Sequence, residues 1–196
     1  MKTAMPQIRL GERSHYCGAP RKSDVGRTVT LYGWVQSRRD HGGVIFVDLR
    51  DRTGLVQVVF NPEVSAEAHA LADRLRHEYV IGVVGIVRER AEGMANPRMA
   101  TGEIEVFAES LVIWNAAKPL PFQITPGDPE VEETTRLKHR YLDLRQPYMQ
   151  AAMIQRHRMN QIIRRYMDEQ GFLEFETPIL TKSTPEGARD YLVPSR

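Results

Sequence analysis

The stretch from Leu31 to Phe60, LYGWVQSRRDHGGVIFVDLRDRTGLVQVVF, decides how this chain folds. Two glycine-marked turns, His41-Gly42-Gly43 and Arg52-Thr53-Gly54, divide it into three short strands. Side chains alternate between the two faces of a strand, so parity predicts which residues the core takes. Leu31, Gly33 and Val35 share one face of the first strand, leaving Tyr32, Trp34, Gln36 and Arg38 on the other. In the second strand Ile45, Val47 and Leu49 form the apolar set, so Phe46 falls on the side of Asp48 and Arg50. In the third, Val56, Val58 and Phe60 point in and Gln57 points out.

An aromatic on a charged strand face has two readings. One exposed Phe is ordinary, because much of a folded surface is apolar, and Phe46 then sits on the rim under a loop. Its company supports a second reading, since Arg38, Arg39 and Gln57 fall on or beside the same face. A flat ring next to arginines and an amide makes a platform for an unstacked base, worth roughly 1–3 kcal/mol per base. Arginine would hold phosphates and glutamine would read a base edge.

Working outward, Val29 to Phe60 is a three-stranded meander preceded by a flexible leader, residues 1–12. Asn61-Pro62-Glu63 predicts a helix start, with Asn as N-cap, Pro at the first helical position and an acid in the first turn. Val64, Ala68, Leu71, Ala72 and Leu75 supply its apolar face. Tyr79 to Val87 is a fourth strand, Arg88 to Gly102 a polar loop, and Glu103 to Ile113 a fifth strand with Ile104, Val106 and Ala108 on one side. Three strands, one helix and two strands is the order of an OB-fold, a β-barrel that binds oligonucleotides across its second and third strands. The barrel domain is placed at residues 13–116.

Lys118-Pro119-Leu120-Pro121 and Pro126-Gly127-Asp128-Pro129 mark a boundary, and residues 117–147 read as a hinge with a helix over Glu130 to Arg145, stopped by Pro147. Residues 148–196 begin a second unit: a helix over Met149 to Gln170 with Met159, Ile162, Ile163, Tyr166 and Met167 as its stripe, Gly171 as C-cap, and a strand over Phe172 to Thr177. One helix and one strand cannot bury a core alone, so this unit is expected to be incomplete.

At 196 residues, 41% hydrophobic and 27% charged, the chain has the composition of a globular protein of one or two domains. Its longest apolar run, Val80 to Val87, is far short of a membrane span, and Met1 to Glu12 contain no signal-like apolar block; a cytoplasmic protein without a membrane partner is expected. A net charge of +2 means that any basic patch is local. The single cysteine, Cys17, excludes an internal disulfide and is expected to be a small buried residue. The six histidines show no close metal-ligand pair, and no P-loop, G-x-S-x-G or G-x-G-x-x-G occurs. No metal site and no complete catalytic constellation is found, so the residues by themselves describe a single-strand nucleic-acid binder joined to the beginning of another unit.

Three segments carry a resemblance: G-W-V-x-x-R-R-D-x-G-G-V-I-F-V-D-L-R-D, then R-L-K-H-R-Y-L-D-L-R, then G-F-L-E-F-E-T-P-I-L-T-K-S-T-P-E-G-A-R-D-Y-L-V-P-S-R. Together they closely resemble bacterial aspartyl-tRNA synthetases over His15 to Arg196. The resemblance implies an OB-fold that binds the tRNA anticodon stem-loop, followed by the start of an α+β class II catalytic domain. It implies that Phe46 stacks on an anticodon base while Arg38, Arg39 and Gln57 make polar contacts, with Ser37 where the family often has a third arginine. Gly171 to Leu180 is similar to the class II dimer-interface motif, implying a homodimer for the whole enzyme. Thr184 to Tyr191 is similar to the loop over the amino-acid site, with Glu186 at the position that contacts L-aspartate. The family's ATP- and Mg²⁺-binding groups fall beyond Arg196, so the chain alone is expected to be inactive in aspartate-dependent pyrophosphate exchange. His41 and Gly93 match positions of the non-discriminating subclass, which charges both aspartate and asparagine tRNAs. The competing readings are a freestanding OB-fold module without ligase activity and a paralogous asparaginyl or lysyl enzyme; the T-P-E-G-A-R-D-Y loop argues against both.

Overall fold

A computed structural model of the chain describes residues 12–124, 131–180, 182 and 193–194. The expected leader and the Thr184–Tyr191 loop lie, apart from Glu12, outside the described residues. The chain divides between Leu120 and Pro121 into two units.

The first unit is a closed barrel in the order β1-β2-β3-β5-β4, formed by β1 (Thr28–His41), β2 (Val44–Asp51), β3 (Gly54–Phe60), β4 (Val80–Glu89) and β5 (Ile104–Asn115). All neighbours pair antiparallel except β3 and β5, whose short parallel contact at Val58–Val106 and Val59–Phe107 closes the barrel and removes open sheet edges. Its interior holds Leu31 and Val35, Ile45, Val47 and Leu49, Val56, Val58 and Phe60, all fully buried, together with Ile104 and Val106. Cys17 joins this core. The Gly42–Gly43 turn needs positive φ at both positions (+60° and +81°), which glycine adopts without a Cβ penalty.

One register shift decides which face each arginine uses. Trp34 pairs with Arg50 and Val35 with Leu49, but the next pair is Ser37 with Asp48, leaving Gln36 as a bulge. Beyond it parity reverses: Arg38 stands opposite the core residue Val47, and Arg39 opposite Phe46. The expectation that Arg38 continues the face of Tyr32 and Trp34 is therefore corrected, because an extra residue in one strand rotates everything after it.

The helix α1 (Ala66–Ala72) starts later than expected. Asn61 does not cap it; its Oδ1 accepts the Glu63 N–H at 2.9 Å in a turn. Ser65 is the N-cap, accepting the Ala68 N–H at 3.2 Å, and Val64 is exposed rather than buried. Ala68, Ala72 and Leu75 do face the core.

In the second unit the expected helix over Glu130–Arg145 is two short ones, α2 (Glu133–Lys138) and α3 (Arg140–Asp143), broken at His139, whose φ/ψ of −115°/44° is not helical. Pro147 does not merely stop a helix; it opens α4 (Pro147–Glu169), where its missing N–H has no intrahelical role. Gly171 follows α4 with φ +82°, as a C-cap should. Phe172–Thr177 forms no strand, since a lone extended segment without a partner cannot make ladder hydrogen bonds. Residues 151–180 are exposed throughout. Among the described residues no helix is long and apolar enough to cross a membrane.

Candidate nucleic-acid interface

Residues directly opposed in neighbouring strands share a face, so the register arranges the outer side of the barrel in rows. The first row runs Arg39, Phe46, Val59 and Phe107, across β1, β2, β3 and β5. The second runs Ser37, Asp48 and Gln57, and the third Trp34, Arg50 and Leu55. Phe46 and Phe107 are half-buried rings that flank Val59, which is 2% exposed yet stands outside the core cluster.

Arg39 is held in place without being covered. Its Nη2 donates to both Asp48 carboxylate oxygens at 3.0 and 3.1 Å while its side chain stays 57% exposed. The Ser37 hydroxyl donates to Asp48 Oδ2 at 2.5 Å, fixing the carboxylate that fixes the guanidinium. Arg38 turns instead to α1: its Nε donates to the Ala72 carbonyl at 3.3 Å and its Nη2 to Asp73 Oδ1 at 2.5 Å. Gln57 points outward as parity requires, but it is only 9% exposed, and its Nε2 donates to Glu105 Oε2 at 3.0 Å.

Burial raises the pKa of Glu105, opposed by Arg90, the Gln57 amide and Arg88. Arg88 stands across the strand from Glu105 and lies 4.2 Å over the Phe107 ring. Arg90 spans back to the Ile104 carbonyl, and its Nη2 is buried without a partner. The sequence reading did not single out these residues, yet the signal was there: with Ile104, Val106 and Ala108 inside, Glu105 and Phe107 must face out. A second ring stands on a charged face just as Phe46 does.

The bulge that sorts the arginines is clamped. The Arg50 guanidinium donates to Gln36 Oε1 at 2.6 Å and to both Glu78 oxygens at 2.7 and 2.8 Å. Glu78, at φ +61°, also donates its N–H to the Val35 carbonyl at 2.8 Å, and Val35 donates to the Tyr79 carbonyl at 3.0 Å.

His41 is exposed at the β1–β2 turn, beyond Arg39. Gly93 lies in the β4–β5 loop at φ +78° with open space where a Cβ would be. That loop is tied to the beginning of β3, where the Thr101 hydroxyl donates to the Leu55 carbonyl at 2.6 Å, whereas the His41 turn lies toward the Phe60 end. The Thr101 attachment of the loop and the His41 turn therefore stand at opposite ends of β3. Glu186 lies outside the described residues.

Residues 29–114 match the OB-fold nucleic acid binding domain family, and residues 132–196 match the class II tRNA synthetases (D, K and N). Over 94% of its length the chain is 60% identical to the aspartate–tRNA(Asp/Asn) ligase of Magnetococcus marinus and 58% identical to that of Bacillus subtilis. Over nearly its whole length the chain is similar to bacterial aspartate–tRNA ligases. It spans about 30% of the length of these curated relatives, 30% and 31% respectively. Among solved structures, the asparaginyl-tRNA synthetase of Pyrococcus horikoshii aligns at TM-score 0.76 with 29% identity, over 91% of this chain and 39% of that one. The aspartyl-tRNA synthetase of Entamoeba histolytica aligns at 0.72 with 23% identity, over 85% and 40%, which shows the shared fold. The barrel thus coincides with the OB-fold match, and the second unit with the class II synthetase match.

Proposed function

We propose that the barrel recognises the anticodon loop of an aspartate tRNA, within an ATP-dependent aspartate–tRNA ligase that also charges the asparagine tRNA. The observation that carries this reading is the direct cross-strand pairing of Arg39 with Phe46 on the outer face of the barrel. A splayed base stacks on Phe46, and the exposed guanidinium of Arg39, prepositioned by Asp48, takes a backbone phosphate. Gln57 and Glu105 form a hydrogen-bonded pair in the adjoining row, with capacity left to accept from a base edge. Arg38 supports the interface from behind through α1. His41 and Gly93, in the β1–β2 turn and the β4–β5 loop, leave room for either anticodon, the basis for the double tRNA specificity.

In the whole enzyme, aspartate is activated with ATP and passed to the tRNA 3′ end, with Glu186 contacting the amino acid and a homodimer as the working form. ATP and Mg²⁺ supply the activation chemistry there. Among the described residues no three His, Cys, Asp or Glu side chains gather in a metal-holding group. The match of residues 132–196 to class II synthetases favours this reading over a freestanding binding module.

The test is a salt titration of binding to transcripts of the aspartate tRNA, the asparagine tRNA and one unrelated tRNA. Similar binding to the first two, lost in Phe46→Ala and absent for the third, is expected. Equal and steeply salt-dependent binding to all three would show phosphate contacts alone and reject base recognition at Phe46.

A further inference from the structure

A second cluster of cations stands at the other end of β2. The guanidinium carbon of Arg13 lies 4.6 Å from the centroid of the Tyr16 ring, and that of Arg52 lies 4.7 Å from the same centroid. Arg13 also lies 5.4 Å from the Tyr32 ring. Tyr16 is 37% exposed, so the cluster faces solvent.

Several arginines of the described chain are matched with a carboxylate: Arg27 with Asp24, Arg38 with Asp73, Arg39 with Asp48, Arg50 with Glu78, Arg164 with Glu174. Arg13 and Arg52 have no carboxylate at ion-pair distance among the described residues. The acid next to Arg52, Asp51, is spent on the backbone and a hydroxyl. Its Oδ2 accepts the Cys17 N–H at 2.7 Å, and its Oδ1 accepts the Thr53 N–H and the Thr53 hydroxyl, both at 2.7 Å. The cation–π contacts hold the two guanidiniums against one ring but leave two like charges side by side.

The cluster is also rigidly mounted. Besides the Cys17–Asp51 bond, the Gly18 N–H donates to Thr53 Oγ1 at 2.9 Å, and a Cβ at Gly18 would meet the Thr53 carbonyl oxygen at 2.3 Å. The segment carrying Tyr16 is thereby stitched to the turn that carries Arg52. Phe46 and Asp51 are five residues apart on β2, about 17 Å at 3.3–3.4 Å per residue. A stacked strand rises about 3.4 Å per nucleotide, so this is the reach of about five nucleotides.

We infer that Arg13 and Arg52, mounted on Tyr16, form a second contact for the RNA backbone that takes phosphates several nucleotides away from the base stacked on Phe46. The inference rests on the anticodon-binding reading. The contact is blind to sequence and adds affinity and register to a platform that reads bases. The guanidiniums, Arg52 foremost, hold the Tyr16 hydroxyl below its ordinary titration range.

The experiment is a salt titration of the full chain with the aspartate anticodon stem-loop, comparing wild type, Arg13→Gln, Arg52→Gln, Arg52→Lys and Phe46→Ala. Each glutamine variant should flatten the slope of log K against log salt by about 0.7, and the double variant by about 1.4. Arg52→Lys should keep the slope, and Phe46→Ala should weaken binding with the slope unchanged. In the wild-type chain, bound RNA should also slow modification of Arg13 and Arg52 by phenylglyoxal, a readout that needs no variant to fold. Unchanged slopes with equal modification rates, in a chain whose binding still depends on Phe46, overturn the second contact and leave the anticodon reading standing. Absence of RNA binding by the wild type overturns both.

Discussion

The Arg50 guanidinium and the Glu78 carboxylate meet at 2.7 and 2.8 Å with both side chains largely covered, and the same guanidinium holds the Gln36 side chain at the bulge of β1. Removing one partner leaves the other's charge buried without its counter-charge, which costs about 3–5 kcal/mol. Glu78→Ala and Arg50→Ala should each lower barrel stability by that order. Arg50→Met with Glu78→Met together should cost clearly less than the sum, since neither charge is stranded. Urea unfolding followed by fluorescence reads this unit directly, because both tryptophans, Trp34 and Trp114, belong to barrel strands. A double variant as damaging as the sum of the singles would deny the coupling.

Arg38 and Arg39 are neighbours in sequence with separate tasks. Arg38→Ala should destabilise the barrel by about 1 kcal/mol, through loss of the Ala72 carbonyl and Asp73 contacts, and leave the salt slope of RNA binding unchanged. Arg39→Ala should do the reverse, flattening the slope by about 0.7 with little effect on unfolding. The pairing of stability and slope measurements separates the two; matched behaviour would contradict the bulge assignment.

Asp48 tests whether placement or charge matters more. Asp48→Asn makes the face more positive, so electrostatics alone calls for tighter binding. Because Asp48 holds Arg39 through two contacts and is itself held by Ser37, loosening of the aspartate stem-loop complex is expected, together with tighter binding of an unrelated single strand. Ser37→Ala should act the same way more weakly, at about 1 kcal/mol. Tighter cognate binding by Asp48→Asn would show that Arg39 needs no positioning.

Glu105 gives the barrel a pH dependence of known sign. Burial raises its folded pKa above the ordinary carboxylate value, so the folded state holds its proton to higher pH than the unfolded chain does. This contribution to stability is full below the unfolded pKa and is lost as pH rises through the raised folded value. Between those two points the unfolding midpoint of wild type should fall with pH more steeply than that of Glu105→Gln. Parallel profiles would indicate that Glu105 titrates alike in both states.

Much of the barrel was legible in the sequence. Apolar alternation at Ile45, Val47 and Leu49 and at Val56, Val58 and Phe60 carries its own geometry, because period two has one solution in a half-buried strand. The glycine turns and the position of Phe46 on the outer face follow from the same local rules. Tertiary structure decided what local rules do not contain. The bulge at Gln36 depends on Arg50 and Glu78, distant in sequence, and it alone sends Arg39 to the Phe46 face and Arg38 to α1. Ser65 rather than Asn61 caps α1, since Asn61 satisfies a nearer N–H first. Phe172–Thr177 has strand propensity but no strand, because a ladder requires a second chain segment and propensity does not supply one. The sequence thus determined the faces within each regular stretch of strand, while the long-range hydrogen bonds between strands placed the bulge and decided which charged groups share a face.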